Sequence, residues 1–326
     1  MTPSFFIATL STWRAVHAPI PGATGEAGPF DAIVKLSIKA MPGARTAETL
    51  GAEREGTGVV IDASGLILTI GYLILEAGSI LVVAADGRVF PASVVGYDHA
   101  TGFGLVRAAP SLAQRPLALG DSSAVGELTT LLVAAHPAAG GVSHACMVSR
   151  RRFTGWWEYM IEDAFFTAPP RYEHSGAALL DGAGRLVGIA SLWVSDAVDC
   201  GVAFPGNMFV PIDLLKPQFD DLVATGRGRE PPRPWLGVYS EEVESHVVVT
   251  RVLPGAPADK AGLKRGDVIL GVGGQAVGGQ SEFYRRLWAS GAAGADIMLH
   301  VLRNRAVQRL VAHSADRMDY LRPWRL

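Results

Sequence analysis

Arg171-Tyr172-Glu173-His174-Ser175-Gly176-Ala177-Ala178-Leu179-Leu180-Asp181-Gly182-Ala183-Gly184-Arg185-Leu186-Val187-Gly188-Ile189-Ala190 is the stretch whose reading decides the fold. It reads as a tight turn bearing Ser175, an apolar strand, a Gly-rich hairpin turn and a second apolar strand. A nucleophile elbow of the hydrolase type would carry G-x-S-x-G between a strand and a helix. Here a hairpin follows the serine, which excludes that architecture. Two readings of Ser175 stand at this point: a nucleophile, or a turn residue kept by hairpin geometry.

The sequence on either side is built in the same way. Ala32-Ile33-Val34-Lys35-Leu36-Ser37-Ile38, Gly58-Val59-Val60-Ile61, Leu66-Ile67-Leu68-Thr69 and Ile80-Leu81-Val82-Val83 are short apolar runs separated by Asp62-Ala63-Ser64-Gly65 and Ala85-Asp86-Gly87. Strands of that length between such turns predict antiparallel sheet or barrel. The 326 residues are enough for two or three cores, and 49% hydrophobic against 18% charged residues, with 38 Gly and 20 Pro, describe apolar strands punctuated by turns.

A formal net charge of −2 provides no global field for nucleic acid, and Arg150-Arg151-Arg152 reads as a solvated basic loop. Cys146 and Cys200 are too few for a disulfide framework and read as buried thiols, with one pairing left open. His17, His99, His136, His144 and His174 share no ligand spacing, so no metal or other cofactor is expected. Gly271-Val272-Gly273-Gly274 reads as a turn between strands, not a nucleotide loop. The first 14 residues lack a basic leader, and no run approaches the length of a membrane helix. A cytoplasmic protein with no membrane span is the resulting expectation.

Glu173-His174-Ser175-Gly176-Ala177-Ala178-Leu179 resembles the serine loop G-N-S-G-G-P/A-L of the HtrA/Deg family, proteases with a trypsin-like domain followed by a PDZ domain. Gly56-Thr57-Gly58-Val59-Val60-Ile61-Asp62-Ala63-Ser64-Gly65-Leu66-Ile67-Leu68-Thr69 is similar to the hairpin that leads to the family's catalytic histidine. Counting onward, the histidine position is Tyr72. Val95-Gly96-Tyr97-Asp98-His99-Ala100-Thr101-Gly102 overlies the aspartate segment and puts Gly102 in the aspartate position. Glu173 stands where the family has the glycine whose N–H forms half of the oxyanion hole. Gly120-Asp121-Ser122-Ser123 resembles the segment joining the two barrels, and a helix-like run at Pro211-Ile212-Asp213-Leu214-Leu215 closes the second.

The resemblance implies a mainly β protein, a trypsin-like double six-stranded β-barrel followed by a PDZ domain. It divides the chain into an N-terminal arm (1–28), the two-barrel domain (29–222), a Pro- and Arg-rich linker (223–234), the PDZ domain (235–314) and a tail (315–326). The PDZ match rests on Pro254-Gly255-Ala256-Pro257-Ala258-Asp259-Lys260-Ala261-Gly262-Leu263-Lys264-Arg265-Gly266-Asp267-Val268-Ile269-Leu270, with a helix expected near 281–290 and a strand near 297–302. In the family an aromatic arm holds a trimer, and Phe5, Phe6 and Trp13 are candidates for that role or for simple barrel cover. The family's envelope location competes with the cytoplasmic expectation.

Serine hydrolysis needs a nucleophile, a base, a group that orients the base, and donors for the oxyanion. A phenol titrates near 10 and makes Tyr72 a poor base, Gly102 orients nothing, and Glu173 brings the wrong charge to the oxyanion. The resulting expectation is a catalytically inactive homologue that binds peptides or a partner protein as a scaffold or chaperone-like factor. The rival is an active endopeptidase using Ser175 with a rearranged base. By the resemblance, the N–H groups of Leu236, Gly237 and Val238 hold a peptide's terminal carboxylate. Phe283 and Leu287 either line the pocket for its last side chain or fill the core. The chain's own end, Pro323-Trp324-Arg325-Leu326, is a candidate ligand for such a groove.

Overall fold

The computed structural model describes residues 29–109, 112, 114–137, 141–199 and 202–322. Phe5, Phe6, Trp13, His17, Cys200 and Pro323-Trp324-Arg325-Leu326 lie outside the described residues, and with them the aromatic arm, the disulfide question and the tail's end. The chain separates into two compact units. Of the described residues, the first takes those up to Arg151 together with those of Asp163–Arg229, and the second takes Arg152–Glu162 together with 230–322.

In the first unit, β1 (Ile33–Ala40), β2 (Glu53–Val60), β3 (Leu66–Ile70), β4 (Ala77–Val83), β5 (Val89–Tyr97) and β6 (Phe103–Ala108) close a barrel in the order β1-β2-β3-β6-β5-β4. A second closed barrel follows from β7 (Thr130–Ala134), β8 (Val142–Gly155), β9 (Tyr159–Ala168), β10 (Ala178–Leu180), β11 (Leu186–Asp199) and β12 (Ala203–Pro211), in the order β10-β11-β12-β9-β8-β7. The short apolar runs predict the antiparallel strands, and the double six-stranded arrangement is the one that the resemblance implies. In β1 the buried Val34, Leu36 and Ile38 alternate with Lys35, Ser37 and Lys39, the period-2 pattern of a strand with one face in a core. β3 is buried along its whole length, as a run of Leu and Ile without alternation requires.

The two hairpin turns singled out in the sequence use one device. Asp62 Oδ1 accepts from the N–H of Ser64 (2.8 Å) and Leu66 (2.9 Å), and Asp181 Oδ1 accepts from the N–H of Ala183 and Arg185, both at 2.9 Å. A short carboxylate side chain folds the backbone around itself, so these turns are legible locally.

The structure corrects two local expectations. The residues after Pro211 form two 3₁₀ turns, Ile212–Leu214 and Lys216–Gln218, and only then α1 (Phe219–Thr225). Pro217 lacks the N–H that a continuous helix would use there. Arg150-Arg151-Arg152 is not a solvated loop but part of β8. Arg150 pairs with Asp163 through Nε at 2.7 Å, Arg151 with Asp196 at 3.3 Å and Arg152 with Glu162 at 2.7 Å. The carboxylates come from other strands of the hairpin system, which local composition does not reveal.

The second unit contains β13 (Val238–Val243), β14 (His246–Val252), β15 (Val268–Val272), β16 (Gln275–Ala276), β17 (Asp296–Arg303) and β18 (Ala306–His313) in the order β13-β14-β15-β17-β18, with β16 on β15. β13 is therefore an edge strand. Helix α2 (Gln280–Ala289) buries Gln280, Phe283, Tyr284 and Leu287, the i, i+3, i+4, i+7 face of an amphipathic helix. Phe283 and Leu287 belong to one buried cluster with Leu236, Val238 and Leu299, and Met160 of the 152–162 segment belongs to it too. Among the described residues, no helix is long and apolar enough to cross a membrane.

Candidate active site

Ser175 is the second residue of a turn closed by the Ala177 N–H donating to His174 O at 2.8 Å. Gly176 follows at φ +77°, the left-handed conformation that the third position of such a turn requires. A Cβ on Gly176 would lie 2.0 Å from Thr57 O and 2.6 Å from Thr69 Oγ1, so this glycine is set by space as well as by dihedral. The Thr57 N–H donates to Ser175 O at 2.8 Å, tying the turn to β2. On the entry side, buried Asn207 of β12 accepts from Arg171 N–H at 2.6 Å and donates to Arg171 O at 2.9 Å. Gly176→Ala is expected to lower the unfolding free energy by more than about 2 kcal/mol, from the left-handed strain and the clash together. Urea denaturation checks this, and an unchanged midpoint would show that the loop relaxes around the methyl.

Tyr72 sits on the 3₁₀ turn Gly71–Leu73 directly after β3. Its Oη lies 2.8 Å from Ser175 Oγ and 2.8 Å from Ser191 O. A phenol has one proton, and the Ser191 carbonyl can only accept. The phenol proton therefore serves Ser191 O, and the Ser175 hydroxyl donates to Tyr72 Oη. Burial pushes the phenol up to about 12 against the pull of the Ser175 hydrogen bond, so at neutral pH it stays protonated. The serine proton points at an oxygen that cannot take it.

The other side chains named as candidates have partners of their own. Gly102, at φ +83°, accepts from the Gly71 N–H at 2.7 Å and carries no side chain. Asp98, the carboxylate of the same loop, accepts from Ala100 N–H (3.1 Å), Thr101 N–H (2.9 Å), the Thr101 hydroxyl and Gln218 Nε2 (2.8 Å). His174 turns its Nδ1 to Tyr172 O (2.8 Å) and Arg171 O (3.1 Å), carbonyls that require the proton on Nδ1, and burial lowers its pKa. His99 lies 3.4 Å from Tyr97 Oη, and the His136 N–H donates to Thr57 Oγ1 at 3.2 Å. Glu173 is exposed beside Ser175. Among the described residues no cluster of three His, Cys, Asp or Glu side chains could hold a metal.

The N–H groups of Leu236, Gly237 and Val238, for which the resemblance implies a peptide's terminal carboxylate, converge on a side-chain carboxylate of the same chain. The carboxylate is Glu158, 3% exposed, in the turn between β8 and β9. Glu158 Oε1 accepts from Gly237 at 2.7 Å and Val238 at 2.8 Å, and Oε2 accepts from Leu236 at 3.0 Å. Burial pushes this carboxyl up to about 7, with the three N–H groups pulling the other way. Nothing in the local sequence marks Glu158, because its partners lie about 80 residues downstream. Asn207 and the Ser191 carbonyl escape sequence reading because their partners, too, are distant in sequence.

Residues 56–189 match the family model for a trypsin-like peptidase domain, and residues 234–312 match that for a PDZ domain. The chain is 29% identical over 224 residues to the serine endoprotease DegS of Haemophilus influenzae, covering 66% of this chain and 64% of that protein. It is 26% identical over 336 residues to the periplasmic pH-dependent serine endoprotease DegQ of Escherichia coli, covering 91% and 73%. The chain spans less than two thirds of DegS and of two HhoA-type relatives, at 64%, 60% and 63% of their length. Among solved structures, the HtrA-type protease AlgW with a tripeptide superposes with a TM-score of 0.51 at 24% identity, covering 90% of this chain and 94% of that one. The serine endoprotease of Yersinia pestis superposes with a TM-score of 0.54 at 21% identity, covering 91% and 99%. These structural likenesses extend to the fold.

Proposed function

We propose that this chain, whose trypsin-like peptidase and PDZ domains place it with the HtrA-like serine proteases, is a non-proteolytic member of that family that binds peptides or a partner protein as a scaffold or chaperone-like factor. The observation that carries this reading is Tyr72, whose protonated phenol meets Ser175 Oγ at 2.8 Å in the position that the family gives to its base. Gly102 and Glu173 support it, the first by lacking an orienting side chain and the second by its charge. Recognition needs only backbone N–H groups in a fixed loop, so the PDZ domain retains its chemistry where the triad does not.

Relatives named as periplasmic support an envelope location, and the cytoplasmic expectation finds no support among them. A homo-oligomer, a trimer held by the N-terminal arm, belongs to the same reading, and light scattering of the full chain against one lacking residues 1–20 tests it. The central test is cleavage of an unfolded casein-type substrate by the full chain and by Ser175→Ala. Equal background in both is the expected result. Cleavage that disappears in Ser175→Ala would overturn the reading in favour of an active endopeptidase.

A further inference from the structure

Within the second unit the segment 152–162 has the contacts of a bound peptide. Trp156 O accepts from the N–H of Ser240 at 2.9 Å, a backbone bond to the edge strand β13. From helix α2, the buried Tyr284 hydroxyl donates to Gly155 O at 2.8 Å and accepts from Glu158 N–H at 3.1 Å. Gln280 Nε2 holds that hydroxyl at 3.1 Å and also donates to Ser240 O at 2.6 Å. Glu158 fills the N–H cradle of Leu236, Gly237 and Val238, and Met160 enters the cluster that contains Leu236, Phe283 and Leu287. Edge-strand backbone bond, carboxylate in a nest of N–H groups and apolar side chain in the core are the three parts of C-terminal peptide recognition, supplied here by an internal turn.

We propose that the 152–162 hairpin is an intramolecular ligand of the PDZ domain, with the Glu158 side chain seated where a peptide's terminal carboxylate would bind, so that an external C-terminal peptide with an apolar last residue binds only by displacing it. The inference deepens the peptide-binding reading above and rests on it. Its consequence is quantitative: the apparent affinity for an external peptide is the intrinsic affinity multiplied by the fraction of molecules whose cradle is open. Three charge-assisted hydrogen bonds keep that fraction small. Peptide binding and hairpin seating are also reciprocal, so whatever frees 152–162 favours the peptide, and the peptide frees 152–162.

The test uses the full chain at pH 8, where the Glu158 carboxyl is ionised, and a fluorescent nonapeptide matching residues 318–326 with a free carboxylate. Glu158→Gln keeps the shape but removes the charge and one acceptor oxygen, and it is expected to bind the peptide about tenfold or more tightly than the unaltered chain. Amidation of the peptide carboxylate should abolish the binding. Tyr284→Phe, which removes the clamp on Gly155 O and leaves the cradle untouched, should shift affinity in the same direction. Hydrogen exchange without peptide gives a second readout: the amides of Leu236, Gly237 and Val238 should exchange about tenfold faster or more in Glu158→Gln, with those of β17 and β18 unchanged.

Equal peptide affinity in the three proteins, or unchanged exchange at the cradle, would overturn the internal ligand while leaving the peptide-binding reading in place. Faster exchange with no peptide bound by any of them would overturn displacement together with the peptide-binding reading, leaving the hairpin as a structural strap.

Discussion

A fluorophosphonate probe is expected to label Ser175 on the order of a millionfold more slowly than a serine with its base in place. The probe phosphonylates an activated hydroxyl and needs no substrate recognition, so it reports the state of Oγ alone. With the Tyr72 phenol at about 12, five pH units above neutrality, roughly one molecule in a hundred thousand carries the phenolate at pH 7. That fraction has lost the proton that Ser191 O accepts, keeps only the Ser175 hydroxyl as donor, and has no carboxylate to orient it. Tyr72→His combined with Gly102→Asp is expected to restore little while Glu173 remains. An aspartate at position 102 also meets a backbone at φ +83°, a conformation that costs a side-chain-bearing residue about 1–3 kcal/mol. Adding Glu173→Gly should help more than either change alone, because it removes charge from the place where the oxyanion forms. Rapid labelling of the unaltered chain would refute the argument, and a double variant as active as an authentic protease would show that Glu173 does no harm.

Glu76→Ala is expected to destabilise the first unit by about 3–5 kcal/mol, the usual cost of leaving a buried charge uncompensated. Glu76 is 0% exposed and accepts from Thr46 N–H (2.7 Å), the Thr46 hydroxyl (2.7 Å) and Arg45 N–H (3.1 Å). That Thr46 hydroxyl accepts in turn from Arg54 Nη2 at 2.8 Å. Arg54 is 5% exposed, and burial lowers its guanidinium from its ordinary value while the Glu76 charge opposes the shift. Its Nη1 donates to Leu75 O at 2.7 Å and to Tyr72 O at 3.1 Å, so this buried network also fixes the turn that carries Tyr72. Removing the carboxylate takes the counter-charge from Arg54 and the acceptor from the Thr46 hydroxyl and the Arg45 and Thr46 N–H groups. At this size the loss corresponds to a fall in Tm on the order of 10 °C. Calorimetry or urea unfolding reads it, and a change below about 1 kcal/mol would mean that water enters and takes the carboxylate's place. Glu76→Gln should cost less, since it preserves part of the hydrogen bonding.

What the sequence determined by itself is local. Short apolar runs between turn signals, such as Leu66–Ile70, read as buried strands, and the aspartates at 62 and 181 fold their own turns. The left-handed Gly176 places the serine, and the i, i+3, i+4, i+7 face of Gln280–Ala289 packs inward. Each of these follows from interactions within a few residues, so a mainly β protein of short antiparallel strands is legible locally, whereas the two barrels and the PDZ domain are implied by the family resemblance of the motifs.

Which side chains meet was decided by the tertiary path. Tyr72 and Ser175 are 103 residues apart, and Glu158 reaches Gly237 across 79. The Arg150-Arg151-Arg152 run, solvated on composition alone, finds a carboxylate for each guanidinium once the strands are placed. The N–H cradle at 236–238 follows from backbone geometry that short sequence patterns encode. Its occupant is a buried carboxylate whose desolvation is offset by the three N–H donors and the Arg317 charge, all brought to it through long-range folding, and no local pattern in the chain specifies that meeting.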